Sequence, residues 1–487
     1  MSRAIRWIFV AVSLLLWVAV GLAAFEFYER WQEGFRAQAA VAAVQQARIA
    51  QQPELDAIAT EFAGAPPETG ADFQAREGFV ARDEPAREDY ADTRGEAVFL
   101  LDSNATVIRA YVPSEPGSVA AFAAPIGTGT QVDAQLDAET APDFRSAVQL
   151  VRDGVGTQLR DYPVQLPGGG EEVLQFAFEP LEQEGTPVIG VFVRLSTWQK
   201  LWVDFRPNVH QDDAYDFQTN AQGWRDDPVV LPKPEGLYRI VCIGGSTTAE
   251  GPTNALTYPN MLENLLAERW GEGRVEVINA GVYASNAGVE AGRLQQYLAL
   301  EPDLVIHYNI VNDLTLILPD GLEQGRAGWQ RGLAASHTVY NHWNTLLLPS
   351  DAYLEQGLRD TVFPSFDVLT QGFRDAGVQF AFASFGAPGY SELDATQQAY
   401  FDHVINTMQW GRVMNMASYV HVVGIYNGML EQYCREQNLL FLPVAGEIAG
   451  GAELYTDICH MNLFGMKRKA EAFRDALEPV LQEALQP

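Results

Sequence analysis

Cysteine is scarce in this chain. Only Cys242, Cys434 and Cys459 occur in 487 residues. They form no C-x-x-C pair, which excludes both a zinc cluster and a disulfide-built scaffold. One bridge stays open, although Cys242 in the apolar run Ile240–Ile243 reads as a buried thiol. Basic residues are also few: 32 Lys plus Arg stand against 63 Asp plus Glu, a formal net charge of −31. So acidic a surface repels phosphate backbones. That excludes nucleic-acid binding as the main function and disfavours docking on anionic lipid. The phosphate-cradling patterns G-x-G-x-x-G and G-x-x-x-x-G-K-[ST] are missing. Long apolar runs are absent after the first 25 residues. What remains is the composition of a folded protein, 47% apolar and 20% charged, long enough for two or three domains.

The single long apolar run is Trp7–Phe25, 19 residues with no charge and one serine. As a helix it matches the thickness of a bilayer core. Arg3 and Arg6 precede it, and Glu26, Glu29 and Glu33 follow. That bias predicts a cytoplasmic N-terminus and an extracytoplasmic remainder, hence a single-pass protein of the cell (inner) membrane facing the periplasm. A cleavable signal peptide cut near Gly21–Ala24 is the competing reading. The length of the run, and its continuation without a turn signal, favour an uncleaved anchor.

Five segments follow from the patterning: 1–25, tip and membrane helix; 26–95, helical stalk and irregular linker; 96–200, a small α+β domain; 201–236, a linker; and 237–487, a larger α/β domain. In the stalk, Phe27, Trp31, Phe35, Ala39, Val41 and Val44 recur at helical spacing. Such a helix pairs with a second copy, giving a homodimer, or lies on its own domain. Ala97–Leu101 and Thr106–Tyr111 flank the turn Asp102-Ser103-Asn104-Ala105, a hairpin signal. Asp143–Asp153 reads as a helix, Val173–Glu179 and Val188–Leu195 as strands. Four prolines mark 201–236. Beyond Tyr238, apolar runs at Ile240–Ile243, Val275–Ile278, Leu304–Tyr308, Phe380–Ala383 and Leu439–Leu442 alternate with helical stretches. That alternation predicts a parallel sheet covered by helices on both faces.

In an open parallel sheet, ligands bind beyond the carboxyl ends of the strands. The first such strand ends in Gly244-Gly245-Ser246-Thr247. Two glycines permit a tight turn, and Ser246 then stands at the sheet edge beside a helix start, placed either as a nucleophile or as a plain N-cap. A serine nucleophile needs a base. Of seven histidines, His307 lies in an apolar run and His210 in the linker. His337, His342, His403 and His421 lie in the helical, insert-like stretch, with Asp402 beside His403. His460 stands in Asp457-Ile458-Cys459-His460, just before the last helix. A carboxylate three residues earlier on a turn can accept the Nδ1–H hydrogen bond, which fixes the tautomer and leaves Nε2 free to act as a base.

With these residues in view, the region 237–485 resembles the SGNH, or GDSL-like, hydrolases. Four blocks match in order: Gly244-Gly245-Ser246-Thr247, Ile278-Asn279-Ala280-Gly281-Val282, Ile310-Val311-Asn312-Asp313 and Asp457-Ile458-Cys459-His460. The resemblance implies a flavodoxin-like three-layer α/β/α fold. It implies Ser246, Asp457 and His460 as a catalytic triad, with an oxyanion hole from Ser246, Gly281 and Asn312. Two positions depart from the family pattern: Gly245 stands where Asp is usual, and Ile310 where Gly is usual. Residues 96–200 resemble PAS-like or Cache-like extracytoplasmic sensor domains, on pattern alone; a packing domain is the equal alternative.

The expected function is a membrane-anchored serine esterase acting through an acyl-enzyme on small esters or acylated glycans, with no cofactor and no metal. Acyl transfer to an envelope polysaccharide uses the same site. A non-catalytic sensor or binding protein is the reading from a different class. Trp329, Tyr340, Trp343 and Tyr353, in the stretch between Asp313 and Phe380, either line a sugar or acyl pocket or pack the insert.

Overall fold

The computed structural model describes residues 3–63, 96–114, 116–152, 158–183, 186–200, 204–211, 217–314, 317, 325–334, 336–407 and 414–485. A single helix, α1 (Arg3–Ala63), continues through Pro53. The run 7–25 lies within it, but the side chains of 7–24 fall outside the described residues, as do residues 64–95. Among the described residues, no helix is long and apolar enough to cross a membrane. The stalk part of α1 lies on its own chain. Ala37, Ala40, Val44, Leu55, Ile58 and Ala59 are buried where α1 packs against helices of the C-terminal domain, chiefly Ala395–Thr407 and Leu463–Leu485.

The middle domain is an antiparallel sheet of β1 (Ala97–Leu101), β2 (Val107–Tyr111), β3 (Gln158–Gln165), β4 (Glu171–Gln183) and β5 (Thr186–Leu195), in the order β2-β1-β5-β4-β3. Helix α2 (Thr140–Arg152) covers it. Phe122, Phe144, Phe176 and Phe178 fill the space between. The hairpin is closed by Asp102, whose Oδ1 accepts from the N–H groups of Asn104 and Thr106.

The C-terminal domain is built on five parallel strands: β6 (Tyr238–Gly244), β7 (Val275–Gly281), β8 (Leu304–Tyr308), β9 (Gln379–Ala383) and β10 (Leu440–Leu442), in the order β7-β6-β8-β9-β10. These are the five apolar runs of the sequence. Ile240, Val241, Cys242 and Ile243 are fully buried, as a strand covered on both faces requires; each such aliphatic side chain contributes about 1.5–3 kcal/mol. The chain steps one way from β6 to β7, then back past β6 to β8. Right-handed crossovers therefore put the connecting helices on opposite faces. Accordingly Tyr258–Trp270 packs with Leu463–Leu485, while Ala287–Gly292 packs with Phe363–Asp375. The reversal of strand order lies at β6, between β7 and β8, and there the carboxyl ends of the strands leave a crevice.

The segment 201–236 is more than a linker. Trp224 stacks on Tyr297 with ring centroids 5.4 Å apart. The fully buried Arg225 donates to the carbonyls of Ala249 and Gly251, both at 2.7 Å. Prolines fix only its ends; its middle is core of the C-terminal domain.

Candidate active site

Strand β6 ends at Gly244, where φ is +159° and a Cβ would run into the carbonyl oxygen of Tyr308 on β8. Only glycine lets the two strand ends approach so closely. Gly245 follows as N-cap of the short helix Ser246–Ala249. Ser246 is thus the first helical residue and not the cap, so its hydroxyl is not spent on a backbone N–H. It points to the far end of the sequence: Ser246 Oγ lies 2.8 Å from His460 Nε2, across 214 residues. His460 Nδ1 lies 2.7 Å from Asp457 Oδ2. The other carboxylate oxygen, Oδ1, accepts the backbone N–H groups of Cys459 at 2.8 Å and His460 at 2.7 Å. Asp457 is buried, while Ser246 and His460 are half-buried.

Burial by itself would raise the Asp457 pKa, but the His460 imidazole and the hydrogen bonds to the carboxylate outweigh it and hold the group at about 2. Burial would likewise lower His460; the Asp457 carboxylate reverses this and pushes the imidazole well above its ordinary value. The pair thus fixes the tautomer, with the proton on Nδ1 and Nε2 facing the hydroxyl. Asp457, Cys459 and His460 also offer three ligand-type atoms within 4.8 Å of one another. The chemistry fits a metal poorly: the carboxylate is already saturated, and burial pushes the Cys459 thiol up to about 12, far from thiolate.

Gly281 requires a correction. It closes strand β7 opposite Gly244, and its N–H donates to Asn279 Oδ1 at 3.1 Å. That N–H is therefore engaged within the strand and not turned toward Ser246. A Cβ at Gly281 would stand 2.7 Å from the N atom of Ala249, so this glycine is needed for packing. Three residues on, the chain makes a turn whose N–H is not engaged in this way. Ala284 is exposed, sits at φ +59° and has an N–H that donates to nothing among the described residues. The next residue, Ser285, offers its carbonyl to the side-chain amides of Asn309 and Asn312, both at 2.8 Å. Asn312 Nδ2 stands 3.0 Å from where a Cβ on Gly245 would sit. The Ala284 turn and Asn312 thus flank the Gly245–Ser246 bend together. No signal in the sequence marks Ala284, because its left-handed conformation is one that glycine usually supplies.

The asparagine loop has its own support. Asn309 Nδ2 also donates to Glu290 Oε1 at 2.8 Å, and Glu290 Oε2 lies 2.7 Å from the buried His307. Asp313 accepts the N–H of Ala287 at 3.0 Å. Burial, then the charge of Glu290, push its carboxyl up to about 8. Ile310 is fully buried, so its bulk goes into the core and leaves the loop in place. The side chains of His337 and His342 lie outside the described residues. His421 pairs with Asp351 at 2.9 Å on the surface, and His403 is exposed while its neighbour Asp402 accepts from Tyr390. Trp329, Trp343 and Tyr353 are exposed; Tyr340 is tied to Asn406 and to the Met414 carbonyl.

A second buried pair, which no local pattern announces, lies under the bend. Lys469 Nζ contacts Glu250 Oε1 and the Thr247 carbonyl, each at 2.8 Å, and both side chains are fully buried. Glu250 Oε2 accepts the N–H of Met461 at 3.0 Å. One ion pair therefore ties the residue after Ser246 to the residue after His460. The rings of Tyr258 and Tyr308 face the ammonium at 4.8 and 5.0 Å.

No family model matches this chain, and no curated protein matches it. Among solved structures it is similar to an alpha/beta hydrolase enzyme from the metagenome of Lake Arreo, at 18% identity over 51% of this chain and 97% of the other, TM-score 0.30. A GDSL-like lipase from Bacteroides thetaiotaomicron shares 11% identity over 53% of this chain and 93% of its own, TM-score 0.31. A lipase/acylhydrolase from Enterococcus faecalis shares 14% over 50% and 97%, TM-score 0.31.

Proposed function

We propose that this chain is a serine ester hydrolase of the SGNH type. The observation that carries the reading is the continuous relay from Asp457 Oδ2 through His460 to Ser246 Oγ, with both links under 3 Å. In the first step Ser246 Oγ attacks an ester carbonyl carbon and His460 Nε2 takes the hydroxyl proton. The tetrahedral oxyanion is met by the N–H groups of Ser246 and Ala284 and the Asn312 amide. Collapse expels the alkoxide, which receives the proton from His460, and leaves an acyl-serine. Water, deprotonated by the same imidazole, then releases the acid and restores the hydroxyl. Asp457 keeps its negative charge throughout and stabilises the imidazolium.

The apolar run 7–25 supports an anchor that leaves the N-terminus in the cytoplasm and the catalytic domain outside it, on the periplasmic side. In that setting the substrates are small esters or acyl groups on envelope glycans. The test is turnover of acetyl and butyryl esters by the purified chain and by Ser246→Ala. Loss of turnover in the variant supports the reading, and equal turnover removes Ser246 from the mechanism.

Two further outcomes follow. Asn312→Ala is expected to lower kcat about 100- to 1,000-fold, because one oxyanion donor is lost; an unchanged kcat places the hole elsewhere. The base must be neutral to act, and Asp457 holds its proton on more tightly. Activity should therefore be low in acid and rise with pH as His460 deprotonates, with its midpoint above the ordinary histidine value of about 6.5. A pH–rate profile whose acid limb lies below that value contradicts the pairing.

A further inference from the structure

Helix α1 meets the C-terminal domain along one stripe, in which Ala37, Ala40, Val44, Leu55, Ile58 and Ala59 are buried. Arg48 falls in this stripe four residues after Val44, where an apolar side chain would continue the pattern. Its Nη2 donates to the Tyr455 carbonyl at 3.0 Å and to the Tyr400 hydroxyl at 3.1 Å. The guanidinium also lies over the Tyr400 ring, 5.4 Å from its centroid. The Tyr400 hydroxyl donates in turn to the Thr456 carbonyl at 2.6 Å. These two carbonyls belong to the residues immediately before Asp457, and both residues are fully buried. Thr456 closes the loop onto His460: its N–H donates to the His460 carbonyl at 2.9 Å, and its hydroxyl does so at 3.2 Å. A shift of residues 455–456 therefore moves Asp457 and His460 together. Charge-assisted hydrogen bonds of this kind are among the stronger ones in proteins.

We propose that Arg48 is a positioning residue for the Asp457–His460 loop. It fixes the peptide carbonyls ahead of Asp457 and thereby sets the distances from Asp457 to His460 and from His460 to Ser246. The proposal rests on the reading of that trio as catalytic. It makes the N-terminal helix, which leads out of the apolar run, a working part of the active site and not a passive tether.

The test uses the full chain with Arg48→Ala, Arg48→Lys and Lys467→Ala. The last removes a different anchor of α1, the Lys467–Glu61 pair at 2.7 Å, and leaves the loop contacts intact. Steady-state kinetics, thermal unfolding and the downfield Nδ1 proton resonance of His460 are read for each. Arg48→Ala is expected to lower kcat about tenfold to a hundredfold with KM within about twofold, as a misplaced catalytic group does. It should also shift or broaden the His460 resonance. Arg48→Lys should recover part of both, and Lys467→Ala should keep both. An Arg48→Ala protein with the native kcat and resonance overturns the proposal. So does a loss of kcat that tracks thermal stability equally in Arg48→Ala and Lys467→Ala, because helix docking alone then explains it. If the native chain turns over no ester, the functional reading fails by itself, and the His460 resonance still decides the positioning role: unchanged in Arg48→Ala refutes it, displaced supports it.

Discussion

Asp457→Asn is expected to lower kcat by about 10⁴-fold while leaving KM and the fold nearly unchanged. The reason lies in how the two carboxylate oxygens are used. Oδ1 accepts two backbone N–H groups, from Cys459 and His460, and an asparagine oxygen can keep both. The amide nitrogen is then turned toward His460 Nδ1, where it can only donate. The imidazole must present Nδ1 as an acceptor and carry its proton on Nε2, the wrong side for taking the proton from Ser246. The rate falls because the tautomer is wrong, not because the loop has moved. Steady-state kinetics beside a thermal unfolding curve check this. A variant within about tenfold of native kcat would mean that Asp457 does not orient the base.

The largest effect on stability is expected at Lys469→Met. That change leaves the Glu250 carboxylate fully buried beside the Met461 N–H without its cation. Stranding one member of a buried pair costs about 3–5 kcal/mol, enough to lower the midpoint of thermal unfolding on the order of 10 °C for a domain of this size. Replacing both partners, as Lys469→Met with Glu250→Leu, removes the stranded charge and should recover much of the loss, since apolar replacement of a buried pair is often near neutral. Unfolding curves of the single and double variants decide the matter. A single variant as stable as the native chain, or a double variant worse than the single by a further several kcal/mol, would show that the pair is not coupled in this way.

The sheet of the C-terminal domain was legible because its strands are buried on both faces. Runs such as Ile240–Ile243 and Leu304–Tyr308 carry no polar alternation, and longer stretches without such runs separate them. The middle domain was half legible. Strand β3 (Gln158–Gln165) was missed, because Arg160, Asp161 and Pro163 interrupt it and most of it is only half-buried. The prolines of 201–236 read as a linker, yet Trp224 and Arg225 turn inward; their partners lie elsewhere in the chain, and local pattern says nothing of them.

The same distinction runs through the site. Ser246, Asp457 and His460 stand on short turns next to strong elements, so their placement could be read locally. Gly281 rests on the resemblance of its block alone, and Asn279 two residues earlier engages its N–H. Ala284 has no signature at all. The Lys469–Glu250 tie spans 219 residues, and the bond from Arg48 to the Tyr455 carbonyl spans 407; neither can be found without the fold.

The measurement closest to the central claim is covalent. Folded native chain is treated with a fluorophosphonate, and the adduct is located by peptide mass spectrometry. A hydroxyl activated by His460 is expected to take one phosphonyl group, on Ser246, and labelling should fall sharply in His460→Ala. A folded native chain that stays unlabelled, or that carries the group on another residue, contradicts the assignment of Ser246 as nucleophile.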